Sequence, residues 1–129
     1  MHWRTGVIFA TEGPKLDEKL FLAHLEHLRH RLRRFRKVHV ICDCAKFHHG
    51  DAVREYLAKY RDQIELETLP AYCRDAIPME RIWWLLWEHV TRNHRCRDLG
   101  ELMGMVMAYL ESEAPFRLED EEYQIPTAA

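Results

Sequence analysis

Val38-His39-Val40-Ile41-Cys42-Asp43 is the stretch on which the fold turns. Five residues rich in β-branched side chains read as a buried strand, and an aspartate closes it. On its amino side the period changes. Between Asp17 and Phe35, the residues Phe21, Leu25, Leu28, Leu32 and Phe35 recur at steps of four and three, the apolar stripe of an amphipathic helix. Further upstream, Val7–Thr11 predicts a short strand that ends in a turn at Glu12-Gly13-Pro14. On the carboxyl side, Asp51–Tyr60 predicts a second helix with Val53 and Leu57 inward, and Ile64–Leu69 alternates as a half-exposed strand should. After a loop over Pro70–Ile77, a helix opens with Pro78 in its first turn and carries Ile82, Trp83, Leu86, Trp87 and Val90. Asp98-Leu99-Gly100-Glu101 has the form of a capping box and opens a last helix to about Glu111, with Leu99, Leu102, Val106 and Leu110 inward.

The order strand–helix–strand–helix–strand–helix–helix predicts an α/β fold: a mostly parallel sheet flanked by helices on both faces. Active sites in such sheets lie outside the carboxyl ends of the strands, and Asp43 stands there. Residues 1–112 are expected to form one domain. Between Glu111 and Glu122 six of twelve residues are acidic, so 113–129 is expected to be a disordered acidic tail.

Composition narrows the function classes. The chain has 129 residues and a net charge of −2, which excludes a uniformly basic nucleic-acid coat but not a local basic face. The densest apolar run, Ile82–Trp87, is broken by Glu88, and the amino terminus leads into no signal-like segment; the expected setting is cytoplasmic, without membrane contact. The four cysteines, Cys42, Cys44, Cys73 and Cys96, are therefore expected to be reduced. Cys42 and Cys44 sit one residue apart on the same predicted sheet face. With His48, His49 and Cys73 they offer a zinc reading, against which stand the poor Cys-x-Cys spacing and the plain alternative of buried structural thiols.

An aspartate that ends a strand is either a turn former or a metal ligand. Its surroundings separate the two: Cys42-Asp43-Cys44-Ala45-Lys46-Phe47-His48-His49-Gly50, then Leu69-Pro70-Ala71-Tyr72, then Ile77-Pro78-Met79-Glu80-Arg81-Ile82-Trp83-Trp84. These segments resemble the catalytic domain of DDE transposases of the mariner-like insertion-sequence group. Asp43 matches the second acid of that family's strand-terminal DNAxxH segment, Ala45 its alanine and His48 its histidine. Leu69, Pro70 and Tyr72 match the following loop, and Pro78, Glu80 and Trp83 or Trp84 match the helix start with the third acid. Cys44 and Ile77 replace the two asparagines, and Arg74 or Asp75 replaces the loop proline.

The resemblance implies an RNase H-like (retroviral-integrase-like) fold, truncated at its amino end so that the chain begins near the third strand. It also implies DNA cleavage and strand transfer at transposon ends, with Asp43 and Glu80 holding Mg²⁺ or Mn²⁺ in a two-metal site. The family's first acid, which bridges the ions, has no match; Glu12 and Asp17 end no strand that would lie beside Asp43. An incomplete site, inactive in the isolated chain, is the resulting expectation. DNA is the expected partner, with a full-length transposase or an upstream-frame product as a further one. The alternatives are a DNA-binding or transposase-interacting remnant without catalysis, or a small Cys/His metal-binding module.

Arg29, Arg31, Arg33, Arg34, Arg36 and Lys37 place six cations in nine residues at a helix end, a candidate phosphate stripe. Arg92, Arg95 and Arg97 extend that candidate track. Lys46 is a further candidate phosphate contact. His48 has two readings, orienting a phosphate or water beside Asp43 and capping the next helix. Trp83, Trp84 and Trp87 are expected to pack inward, with base stacking as the alternative.

Overall fold

The computed structural model describes residues 1–2, 4–70 and 79–116. Its regular elements are α1 (Glu18–Arg31), β1 (Val38–Cys42), α2 (Asp51–Lys59), β2 (Ile64–Thr68), α3 (Met79–Leu86) and α4 (Leu99–Ser112). A 3₁₀ turn covers Lys46–His48, and a π-helical turn, Trp87–Thr91, prolongs α3. The chain divides into two compact units, residues 10–77 and residues 1–9 with 78–129. The Pro70–Ile77 loop beyond Pro70, the Pro78 helix start and the acidic tail beyond Phe116 lie outside the described residues.

In the first unit α1 begins where the Asp17 carboxylate accepts the Leu20 amide at 3.1 Å. Its inward stripe is as expected, with Phe21, Leu25, Leu28 and Leu32 buried. The helix nevertheless stops at Arg31, four residues short of the predicted Phe35. The physical reason is charge: extending the helix would stack Arg31 on Arg34 and Arg33 on Arg36 and Lys37, like charges one turn apart. Phe35 consequently faces outward.

β1 and β2 pair in parallel with Val38 opposite Ile64 and Cys42 opposite Thr68. The pairing is extended by Val38 N–H to Gln63 O at 2.8 Å and Leu69 N–H to Cys42 O at 2.9 Å. Because side chains alternate, one face of this βαβ unit carries Val38, Val40, Ile64 and Leu66. That face joins Phe21 and Leu25 of α1 and Val53 of α2 in the core. Burying such side chains is worth roughly 1.5–3 kcal/mol each. His39, Ile41, Glu65 and Glu67 point the other way and are exposed, Ile41 to 62%. The expectation of a buried strand covered on both faces is thus corrected to a one-sided sheet among the described residues. An apolar β-branched run cannot by itself distinguish these, since it looks the same whether one face or two are covered.

Two polar devices bind α2 into this unit. The Glu18 carboxylate, from the first turn of α1, accepts the amides of Ala52 (3.0 Å) and Val53 (3.3 Å) at the α2 amino terminus. Gly50 makes room for it, because a Cβ there would lie 2.1 Å from Glu18 Oε1. Glu26 of α1 accepts from the Tyr56 hydroxyl of α2 and from Arg29 Nε at 3.1 Å.

The second unit inverts one expectation. Ile82, Leu85, Leu86 and Val90 carry its apolar stripe, and Leu110 and Phe116 are buried with them. Trp83, Trp84 and Trp87 lie outside that stripe and are exposed, so they do not pack inward as expected. The steps 82, 85, 86 and 90 form one continuous helical stripe, and the tryptophans fall outside it. At α4 the capping box forms in part: Asp98 accepts the Glu101 amide at 2.9 Å, while Glu101 reaches the Arg97 amide rather than that of Asp98. Leu99, in the first turn, is exposed rather than inward. Gly6 takes φ 66°, open to glycine, and a Cβ there would meet Phe116 O at 2.1 Å.

The predicted strand Val7–Thr11 is not formed among the described residues. Val7 O instead accepts the His2 amide at 2.8 Å, and the Thr11 hydroxyl bonds the Nδ1 atoms of His24 (2.9 Å) and His27 (3.1 Å). A strand needs an edge to pair with, which local composition does not supply. Among the described residues, no helix is long and apolar enough to cross a membrane.

Candidate active site

Asp43 directly follows β1, at the carboxyl end of the parallel pair, where the pattern of the sheet predicts chemistry. Its carboxylate is held from two sides. Oδ1 accepts the Ala45 amide at 3.0 Å, an Asx turn, and lies 3.1 Å from His48 Nδ1. The same Nδ1 is 3.0 Å from the Asp43 carbonyl oxygen. Both of these oxygens are acceptors, so Nδ1 carries the proton and donates. The turn-former and functional readings of Asp43 therefore coexist: the turn is what orients the carboxylate.

His48 is 11% exposed at its side chain, while Asp43 is 51% exposed. The imidazole is wedged between the rings of Phe21 (4.3 Å) and Phe47 (4.4 Å), which fixes its plane. It does not cap α2, since no side chain of the preceding segment does so and Glu18 takes the first amides instead. Both contacts to the Asp43 carboxylate fall on Oδ1. Oδ2 is the oxygen left for a cation, among the described residues. An exposed carboxylate with one oxygen held and one turned outward fits a hard divalent ion.

Glu80 is the second residue of α3, in the other unit, and is half-buried. Glu12 is exposed, and Asp17 caps α1.

The structure divides the basic stripe. Arg29 belongs to the fold: its guanidinium contacts Glu26, Tyr56 and Gln63 and lies 4.2 Å over the Tyr60 ring. That withdraws Arg29 from the phosphate stripe, because its planar fork is spent inside the molecule. Hydrogen bonds from Arg29 and Tyr56 hold the Glu26 carboxyl down at about 2, and burial and Glu26 push the Tyr56 phenol up to about 12. Lys37 pairs with Glu65 at 2.6 Å. Arg31, Arg33, Arg34 and Arg36 are exposed around the α1–β1 connection. This connection enters β1 at the end opposite Asp43. The four Cα-to-Cα steps of this five-residue strand, about 3.3 Å each, separate its two ends by about 13 Å. Lys46, by contrast, is exposed in the 3₁₀ turn beside Asp43.

Cys44 lies beyond the end of β1 rather than on its face with Cys42, and its thiol donates to Leu69 O at 3.0 Å. Burial, and then the charge of Asp43, push the Cys42 thiol up to about 11, so it is protonated at neutral pH. Cys73 lies outside the described residues. Among the described residues the ligand atoms that do converge are on His39, Glu65 and Glu67, not on Cys42, Cys44, His48 and His49.

Glu18, Glu26 and Tyr56 were not legible as partners. The Glu26, Arg29 and His30 spacing of three and four residues was the one available sign of a local ion pair.

Residues 1–103 match the family of DDE superfamily endonucleases, and the chain belongs to that family. It is also similar to the insertion element IS630 uncharacterized 39 kDa protein of Shigella sonnei, with 27% identity over 116 residues. That match takes in 90% of this chain and 34% of the relative, so the chain spans about a third of the relative's length. No solved structure matches.

Proposed function

We propose that this chain is part of the catalytic domain of an insertion-sequence transposase with an RNase H-like fold, acting on DNA at transposon ends. The observation that carries the reading is Asp43, presented at the carboxyl end of β1 with one oxygen held by Ala45 and His48. Asp43 and Glu80 are the two carboxylates that would hold Mg²⁺ or Mn²⁺. Such ions, when bound, activate the attacking oxygen and neutralise charge on the leaving one. The chain's own residues supply the orientation: the Asx turn sets the Asp43 backbone, and His48 Nδ1–H holds the carboxylate rotamer. Lys46 would meet a phosphate next to this site, while Arg31, Arg33, Arg34 and Arg36 would meet the backbone farther along the duplex.

A third carboxylate would come from a transposase partner. Alone, the chain binds metal without turnover. The test is Mn²⁺ binding followed by electron paramagnetic resonance, run beside cleavage of a duplex bearing the element's end. Asp43→Asn, which keeps the Asx turn, and Glu80→Gln should each weaken Mn²⁺ at least tenfold, and the unmodified chain should not cut. Unchanged Mn²⁺ affinity in both variants would refute the metal assignment. Specific cutting that vanishes in Asp43→Asn would show that the chain supplies all its acids.

A further inference from the structure

We infer that the outer face of the two-stranded sheet carries a second metal site, for a zinc-like cation, built from His39, Glu65 and Glu67. It is independent of Asp43 and of the transposase reading. The register creates it: His39 of β1 lies opposite Glu65 of β2, and Glu67 follows two residues on, so all three side chains leave the same face. All three are exposed and their ligand atoms lie within 4.8 Å of one another.

The distances suit one ion. His39 Nδ1 is 3.0 Å from Glu67 Oε1 and 3.8 Å from Glu65 Oε2. Two ligand atoms bound to zinc at about 2.0–2.1 Å across a tetrahedral angle are about 3.3 Å apart, between these two values. One imidazole nitrogen and two carboxylates also form a donor set that zinc accepts, with water at the fourth position. In the present arrangement Nδ1–H points at carboxylate oxygens; zinc takes that position and the ring keeps its one proton on Nε2. Because the ligands bind zinc only unprotonated, affinity is lost in acid. Lys37 is the built-in competitor, because its ammonium sits 2.6 Å from Glu65 Oε2, the oxygen nearest His39 on that residue. An ion held this way ties β1 to β2 across a face that no helix covers among the described residues.

The experiment is zinc titration of the full 129-residue chain against a chromophoric chelator, with cobalt(II) spectra recorded in parallel. One zinc ion per chain is expected. His39→Ala and Glu67→Gln should each weaken it at least tenfold, Lys37→Met should tighten it about threefold, and Asp43→Asn should leave it unchanged. The side chains are exposed, so these variants should keep the fold, which circular dichroism checks. The cobalt spectrum should lack a thiolate charge-transfer band. Zinc affinity that is absent in the parent, equal in His39→Ala and Glu67→Gln, or lowered by Lys37→Met would overturn the site. So would a thiolate band, which would move the ion to the cysteines.

Discussion

His48 is the residue whose role the structure sharpens most. Its Nδ1–H reaches both the carboxylate and the carbonyl of Asp43, and the Phe21 and Phe47 rings keep the imidazole in place. Removing a partner that orients a metal-binding group typically costs about 10–100-fold in metal affinity. His48→Ala should therefore weaken Mn²⁺ at least tenfold, and it should also lower the melting temperature by leaving a gap against Phe21 and Phe47. His48→Asn, whose amide N–H stands near the position of Nδ1–H, should retain most of the affinity. Equal loss in both variants would mean that ring packing, not the hydrogen bond, is what matters. A second residue-scale effect concerns acid. Burial, with the like charge of His27 adding to it, lowers the His24 pKa to about 4. A histidine with a depressed folded pKa binds its proton more readily in the unfolded chain. Its contribution is complete above the ordinary value of about 6.5 and is lost as pH falls toward 4. After discounting for partial exposure, the loss should be on the order of 1–2 kcal/mol. Glu26, held at about 2, acts lower, its share lost as pH falls from the ordinary carboxylate range toward that value. Denaturant midpoints from pH 7 to 3 should fall in that order, and His24→Gln should flatten the limb between 6.5 and 4.

At the scale of elements, α2 is nine residues long, short enough that its ends matter to its stability. Its amino terminus lacks a local side-chain cap and borrows the Glu18 carboxylate from α1. A charged acceptor at a helix amino terminus meets free N–H groups and the favourable end of the dipole. Glu18→Ala should cost about 1–2 kcal/mol by urea denaturation, in line with other lost caps. Gly50→Ala should cost a comparable amount through displacement of the same carboxylate, since its Cβ would stand 2.1 Å from Oε1. The double variant should cost less than the sum, because both remove one contact. Full additivity would place the Gly50 effect in the backbone instead.

At the scale of the whole chain, the net charge of −2 conceals a polarised first unit. Arg31, Arg33, Arg34 and Arg36 gather at the amino end of β1, and Asp43 stands at the other. If these arginines meet DNA phosphates, each contributes about 0.9 to the slope of log K against log salt. Replacing all four by glutamine should flatten that slope by about 2–4. Mn²⁺ affinity should stay as it was, because about 13 Å of strand lies between the two ends. An unchanged slope would return the cluster to a solvated surface.

Local signals in the sequence determined these elements: helical spacing marked α1 and α2, alternation marked β2, a β-branched run marked β1, and a capping box opened α4. Order then placed Asp43 at the carboxyl end of a parallel pair, and the motif residues Asp43, Ala45 and His48 carried the family. What local spacing does not carry was decided by tertiary structure. Val7–Thr11 has strand composition but no strand among the described residues, since pairing belongs to two segments and composition to one. The three tryptophans face outward because Ile82, Leu85, Leu86 and Val90 already supply a continuous stripe. Arg29 turned from a phosphate ligand into a brace because Tyr56 and Gln63, remote in sequence, close around it. Hydrogen bonds between residues some thirty apart cost chain entropy that only a packed core offsets, so they exist only once the core does.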